Sequence, residues 1–363
     1  MDAADNQWMA QALRLAERGL YTTTPNPRVG CVLVKENRVI GEGWHERAGE
    51  PHAEVHALRE AGNKAKGATA YVTLEPCSHH GRTPPCADAL IAAGVSRVVA
   101  AMQDPNPLVA GQGLQKLRAA GIEVESGLMD AAARELNIGF VSRMTRGTPW
   151  VRSKIAASLD GRTALANGAS KWITGDAARR DVQHWRARSC AVLTGIGTVL
   201  ADDPHLNVRE IASGRQPLRA VVDSELRISP KAKILQGGQT LIYTASSDAA
   251  KHRALKAGGA DVVTLAGADG KVELPAVLRD LGQRGINEVL VEAGRNLNGA
   301  LLKAGLVDEL VLYLAPQLLG DLARGMAQLG ELTRLDQRVE LEWQDVRQIG
   351  RDLRIIASVK NNM

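Results

Sequence analysis

His52-Ala53-Glu54 and, beyond an apolar run, Glu75-Pro76-Cys77-Ser78-His79-His80-Gly81-Arg82-Thr83-Pro84-Pro85-Cys86 are the stretches that decide how this chain is read. The imidazole of His52 and the thiols of Cys77 and Cys86 are three ligands of the kind that Zn2+ takes in a tetrahedral site. That set leaves a fourth position for water. An open position on zinc means chemistry, because the metal lowers the pKa of bound water from about 15.7 toward about 7. Glu54, two residues beyond His52, is placed to take the proton of that water without binding metal itself. Pro51 reads as the first residue of a helix that holds His52 and Glu54 in its first turn. Thr83 reads as the cap of a second helix, with Pro84 at its first position and Cys86 in its first turn, where the partial positive charge of a helix N-terminus favours thiolate. A closed structural zinc site, with His56 as fourth ligand, is the competing reading, and it leaves Glu54 without a task.

Working outward, 363 residues allow two domains of ordinary size, each with its own core. Hydrophobic residues at 45% and charged residues at 23% describe a globular chain. No run of 18 apolar residues occurs, and the opening Asp2, Asp5 and Asn6 do not resemble a signal peptide. A cytoplasmic protein without membrane contact is expected. Of the four cysteines two serve the metal, while Cys31 and Cys190 sit in apolar strand-like runs as buried free thiols. The net charge of +5 comes from scattered basic residues, and a single Phe with four Tyr leaves little to stack bases. No nucleic-acid partner is expected; small phosphorylated ligands account for the charge equally well.

Residues 7–18 carry Met9, Ala12, Leu13 and Ala16 at helical spacing. A proline-fixed loop, Thr24-Pro25-Asn26-Pro27, precedes two β-rich runs at 29–34 and 38–44 that form a hairpin around Glu36-Asn37. Then come a helix over 52–61, a strand at 70–74, a helix over 84–93 and a strand at 97–102. After a second proline-fixed loop, Asp104-Pro105-Asn106-Pro107, the pattern gives a helix at 111–120, a strand at 122–125 and a helix at 130–138. This alternation predicts a sheet covered on both faces, with the zinc loop and the Asp104 loop at carboxyl ends of strands, where ligands collect. Ordinary turn chemistry explains Asn26, Asp104 and Asn106 as readily as binding does.

The run from Met144 to Pro149 breaks the pattern and reads as a linker that divides residues 1–146 from 147–363. Beyond it, strands at 150–157, 191–194, 218–223, 240–244, 261–265, 288–292 and 310–315 alternate with helices at 176–188, 248–257, 274–283 and 297–304. A hairpin pair, 339–346 and 353–359, closes a second α/β domain. Two glycine-bearing turns follow strands in it, Gly195-Ile196-Gly197-Thr198 and Ala293-Gly294-Arg295-Asn296-Leu297-Asn298-Gly299. Each lets backbone approach a phosphate at a helix start, or is a plain tight turn.

The spaced H-x-E…P-C…C pattern is that of zinc deaminases. With Thr24 to Pro27, Asp104 to Pro107, Ser158-Leu159-Asp160-Gly161-Arg162-Thr163, Trp172-Ile173-Thr174, Thr198 to Pro204 and Val291 to Gly294, nearly the whole chain resembles the bifunctional riboflavin-biosynthesis deaminase-reductases. The long Cys77 to Cys86 spacing separates it from cytidine and tRNA deaminases, whose cysteines are two residues apart. The resemblance implies an α/β fold: a cytidine-deaminase-like α/β/α zinc domain followed by a dihydrofolate-reductase-like α/β domain. It implies one Zn2+ on His52, Cys77 and Cys86, with Glu54 as proton shuttle, for deamination of 2,5-diamino-6-ribosylamino-4(3H)-pyrimidinone 5′-phosphate. It then implies reduction of the ribosyl to a ribityl chain by NADPH.

The implied substrate contacts are Asn26, Arg82, Asp104 and Asn106 in the deaminase, and Ser170, Arg186, Leu206, Arg209 and Glu292 in the reductase. The implied cofactor contacts are Ala156, Trp172, Thr198, Asp202, Ser224 and the turn of Gly294, Arg295, Asn296, Leu297, Asn298, Gly299 and Ala300. Arg295 departs from the uncharged residue expected in that turn. On this reading Arg186 and Arg209 converge on the anionic end of the substrate, although solvated surface is the commoner fate of arginine. The resemblance leaves a homo-oligomer open. A nucleic-acid deaminase would need a short C-x-x-C loop and a basic aromatic face, and a zinc-nucleotide sensor would have no use for Glu54.

Overall fold

The computed structural model describes residues 2–78 and 85–360. The chain divides into two compact units, Met1–Gly147 and Thr148–Met363.

In the first unit the chain runs α1 (Ala3–Glu17), β1 (Gly30–Lys35), β2 (Arg38–Trp44), α2 (Ala53–Ala61), β3 (Thr69–Val72), α3 (Cys86–Ala92), β4 (Arg97–Ala100), α4 (Gln112–Ala119), β5 (Glu123–Ser126), α5 (Asp130–Leu136) and α6 (Ile138–Arg146). Asp2 caps α1 and exchanges hydrogen bonds with Asp5 in a capping box. Glu36 and Asn37, both at positive φ, make the tight turn of the β1–β2 hairpin. The sheet order is β2-β1-β3-β4-β5, antiparallel at β1 and parallel from β3 to β5. Because side chains alternate along a strand, Val32, Val34, Tyr71 and Val99 enter a core shared with α1. Cys31, Leu33, Ala70, Val72 and Val98 enter the other, shared with α2 and α3. Both faces are covered, as the alternation of elements predicts.

At Gly41 and Gly43 strand β2 presents no side chain to α2. A Cβ at Gly41 would lie 2.3 Å from the Ala57 carbonyl, and one at Gly43 would lie 2.7 Å from the Ala53 carbonyl.

Three local expectations are corrected. Helix α2 starts at Ala53; His52 is its N-cap, in extended backbone, because its ring turns toward the cysteines, so Pro51 lies outside the helix. Helix α3 starts at Cys86 with Pro85 as N-cap, while Thr83 and Pro84, read as cap and first residue, lie outside the described residues. The linker is shorter than read, since Met144 to Arg146 form the last turn of α6, which ends on Gly147 at φ 73°.

The second unit runs β6 (Trp150–Ser158), β7 (Arg162–Ala164), α7 (Asp176–Arg188), β8 (Ala191–Gly195), α8 (Ile196–Asp202), β9 (Leu218–Val222), β10 (Thr240–Thr244), α9 (Ala249–Ala257), β11 (Ala260–Thr264), α10 (Leu274–Gln283), β12 (Glu288–Val291), α11 (Arg295–Lys303), β13 (Glu309–Ala315), β14 (Arg324–Gly325), β15 (Glu340–Ile349) and β16 (Asp352–Lys360). Its nine-stranded sheet has the order β11-β10-β9-β8-β12-β6-β13-β16-β15. It is parallel as far as β13 and antiparallel in the closing hairpin. Alternation again sorts the core: Leu193, Tyr243 and Val291 face one layer, Val192, Ile242 and Leu290 the other. The parallel arrangement brings Ala156, the Gly195 turn, Ser224 and the Glu292 to Gly294 segment to the carboxyl ends of β6, β8, β9 and β12.

Candidate functional site

In the first unit the starts of α2 and α3 deliver His52 and Cys86 to one point, and the run after β3 delivers Cys77. His52 Nδ1 lies 3.3 Å from Cys86 Sγ and 3.6 Å from Cys77 Sγ, and the three ligand atoms all fall within 4.8 Å of one another. Zinc bonds of about 2.0 Å to nitrogen and 2.3 Å to sulfur, opened at the tetrahedral angle, would set N and S about 3.5 Å apart. The spacing fits. The Cys86 backbone N–H, at the start of α3, donates to Cys77 Sγ at 3.3 Å.

The Cys86 thiol beside Cys77 pulls the Cys77 pKa down to about 4, and the same closeness pushes Cys86 far up. Two thiols that cannot both ionise are what a divalent cation reconciles. His56, the alternative fourth ligand, is not part of the cluster.

Glu54 is 3% exposed, and among the described residues its buried Oε2 has no hydrogen-bond partner. Burial pushes its carboxyl up to about 7. A buried oxygen without a donor, beside three ligand atoms with an open fourth position, suits a zinc-bound water better than a closed site.

Glu54, His52 and Cys77 line a cavity of about 550 Å³ whose walls include Asn26, Asp104 and Asn106. The structure therefore brings together the ligands, Glu54 and three of the four expected substrate contacts; Arg82 lies outside the described residues. The turn chemistry weighed for the loop is also present: Asp104 Oδ1 accepts from Asn106 N at 2.8 Å, and Asn106 Oδ1 from Leu108 N at 3.1 Å.

Sequence reasoning missed His45. It lies in the same wall, 2% exposed, 3.1 Å from Asn26 Nδ2 through Nε2 and 3.1 Å from the Pro51 carbonyl through Nδ1. Burial lowers its pKa, so a neutral ring is favoured. A single histidine at a strand end carries no local signal.

In the second unit Arg186 grips Glu292 through two bonds, Nε–Oε1 at 2.5 Å and Nη2–Oε2 at 3.0 Å, and donates to the Asn207 carbonyl at 3.1 Å. Arg186, expected at the substrate's anionic end, is thus ion-paired with Glu292, the other expected contact beside it, and these bonds use three of its five N–H groups. Arg209 is exposed, and its backbone is tied to Gln183 of α7 at 3.0 Å. Lys154, also missed from sequence, places Nζ 3.7 Å from Glu292 Oε2. Its signal was available: Arg152 and Lys154 are charges within a central strand, and buried charges require partners. Burial alone would raise the Glu292 pKa, but Arg186 and Lys154 outweigh it and hold it at about 2. Leu206 is buried at φ 49°, and Ser170 lies between β7 and α7.

The two glycine turns face each other on neighbouring strands. A Cβ at Gly294 would lie 3.9 Å from Thr198 Oγ1, and one at Gly195 would lie 3.4 Å from Leu297. Arg295, Asn296 and Ala300 belong to α11, of which Gly294 is the N-cap. Asn298 and Gly299 turn out to have structural tasks. Asn298 is buried against Ser153 and the Ala293 carbonyl, and a Cβ at Gly299 would meet the Gln328 carbonyl at 2.3 Å. Trp172 is 67% exposed under the Arg179 guanidinium, Asp202 pairs with Lys171 at 3.2 Å, and Ser224 Oγ accepts from Val272 N at 3.2 Å. Glycine approach, a helix start and carboxyl strand ends fit a dinucleotide.

A model of the cytidine and deoxycytidylate deaminase zinc-binding region matches residues 2–102, and a model of the RibD C-terminal domain matches residues 149–355. Fold and site thus define a zinc deaminase joined in one chain to a reductase of dihydrofolate-reductase type. Over 96% of its length the chain is 53% identical to the riboflavin biosynthesis protein RibD of Escherichia coli, covering 98% of that protein. A solved Acinetobacter baumannii RibD is 49% identical, with 99% of each chain covered and a TM-score of 0.93. A Thermotoga maritima diaminohydroxyphosphoribosylaminopyrimidine deaminase/5-amino-6-(5-phosphoribosylamino)uracil reductase is 33% identical, with 98% and 99% covered and a TM-score of 0.87. The chain belongs to the RibD family, the bifunctional deaminase-reductases of riboflavin biosynthesis. Among the described residues no helix is long and apolar enough to cross a membrane.

Proposed function

We propose that residues 1–146 remove the 2-amino group of 2,5-diamino-6-ribosylamino-4(3H)-pyrimidinone 5′-phosphate by hydrolysis, and that residues 147–363 reduce the ribosyl group of the product to ribityl with NADPH. The observation that carries the first half is Glu54 Oε2, buried and without a partner among the described residues, beside His52, Cys77 and Cys86 in the wall of the 550 Å³ cavity. Zinc, when bound by those three residues, makes water nucleophilic at neutral pH. Glu54 takes a proton from the water and returns one to the departing nitrogen, so the C–N bond breaks, ammonia leaves and the ring gains a carbonyl. Asn26, held by His45, and the Asp104–Asn106 loop orient the pyrimidine ribotide.

In the second half, NADPH supplies a hydride when bound. Ala156, Trp172, Thr198, Asp202, Ser224 and the turn starting at Gly294 would hold it at the carboxyl strand ends. Glu292 fixes Lys154 Nζ as a donor beside the reacting sugar. Ser170, Leu206, Arg209 and the Arg186–Glu292 pair complete the substrate side, with Arg209 as an exposed guanidinium for phosphate. A phosphorylated substrate and NADPH are intracellular, which supports a cytoplasmic enzyme.

The test is ammonia release and nicotinamide oxidation followed together on the full chain with the diaminopyrimidine ribotide. Ammonia should appear first, and NADPH should serve better than NADH. Cofactor oxidation without prior ammonia release would refute the order, and equal use of NADH would refute the cofactor.

A further inference from the structure

Two residues before the ligand Cys77 stands Glu75, 5% exposed, whose carboxylate does no chemistry in the mechanism above. Its Oε2 accepts from the backbone N–H of Asp104 at 3.1 Å and of Gly111 at 2.9 Å. Its Oε1 accepts from Gly113 at 2.8 Å and Leu114 at 3.3 Å. All four donors are main-chain groups of one segment, the loop that carries Asp104 and Asn106 and the first turn of α4. Helix α4 has no side-chain cap of its own, because its N-cap is Gly111. Glu75 caps it from across the site, an anion at the positive end of a helix. The contact is close: a Cβ at Gly113 would fall 1.9 Å from the Pro76 carbonyl, so the helix start rests directly on the zinc loop.

We infer that Glu75 is a positioning residue of the deaminase, a clamp that fixes the Asp104–Asn106 loop to the zinc loop and so sets where the substrate lies relative to the metal. This rests on the first unit being a deaminase. The carboxylate suits the task because its two oxygens accept from four N–H groups, whereas a glutamine would turn one NH₂ group toward two of those donors. Asp104 and Asn106 line the same cavity as Glu54 and Cys77. A slackened clamp therefore moves the substrate contacts and leaves the ligand set in place.

The experiment is Glu75→Gln in the full chain, with zinc content, deaminase KM and kcat, and reductase kinetics measured side by side. Expected are one zinc per chain, unchanged reductase kinetics, and a fall of about 10- to 100-fold in deaminase kcat/KM, carried mainly by KM, the scale of a misplaced reactant. Wild-type KM in a zinc-loaded Glu75→Gln protein overturns the inference. Should that variant lose zinc, Gly111→Ala decides. Gly111 sits at φ 81°, and its added Cβ would lie 2.7 Å from Gln103 Nε2, which disturbs the loop while Glu75 stays intact. A raised KM at full zinc content in Gly111→Ala supports the clamp, and a wild-type KM overturns it. If wild-type protein releases no ammonia from the ribotide, the deaminase reading itself has failed, an outcome distinct from either.

Discussion

Glu54 and Glu292 are both acids largely withdrawn from water, yet their surroundings push them in opposite directions. Among the described residues Glu54 Oε2 has no hydrogen-bond partner, and burial outweighs the nearby His52 and lifts its pKa to about 7. Glu292, its side chain 9% exposed, is held at about 2 by Arg186 and Lys154 against the pull of burial. In the first unit a metal held by His52, Cys77 and Cys86 would bring positive charge beside the acid; in the second that charge is encoded as side chains. One carboxylate is thereby kept ready to exchange protons, and the other is fixed as an anchor for cations.

Metal removal gives the widest separation. Chelation of zinc should abolish ammonia release and leave reduction of the deaminated substrate at its full rate; deamination by rigorously metal-free protein would erase the contrast. Next is Arg186→Met, which leaves Glu292 to Lys154 and should cost the second unit about 3 kcal/mol. In a urea series reductase activity should then be lost well before deaminase activity, and coincident losses would show that the anchor is not local. Glu54→Gln keeps shape but cannot cycle a proton. It should slow deamination on the order of a hundredfold or more with reduction untouched, and a joint fall would mean that the two sites are catalytically coupled.

The smallest expected effect concerns acid. The folded pKa of Glu292, about 2, lies below its ordinary value of 4.5, so its share of stability is whole above pH 4.5 and fades as pH falls toward 2. That share is on the order of 3 kcal/mol. Denaturant titrations of wild type and Glu292→Gln should diverge less and less across that window as pH drops; a constant gap would mean that the carboxylate is not the titrating group.

Much of this was legible because it is local. Helices α7 and α10 match their apolar spacing to the residue, and the zinc ligands sit in two short motifs. Helix α6 was missed because Asn137 interrupts the helical run, and the reason for that break lies far away. The Asn137 side chain receives the Arg28 N–H at 2.8 Å and donates to the Arg28 carbonyl at 2.9 Å. His45 and Glu75 were missed on the same grounds, since each acquires its role from partners that only folding brings near. Arg186 shows a related case, since its ion pair with Glu292 joins residues more than a hundred positions apart and could not be read from either one's neighbours.

The bare contact between β2 and α2 sets the mutational tolerance of the deaminase. Helix α2, whose first turn holds Glu54 just past His52, rests on glycine hydrogens, and at position 43 even a methyl group would press on the Ala53 carbonyl and the His56 Cβ, 2.5 Å away. The most conservative exchange that genetics offers at that position therefore acts as an active-site lesion. A saturation scan scored on ammonia release should find position 43 nearly as intolerant as position 52, while larger changes on exposed faces of the same helix pass unnoticed.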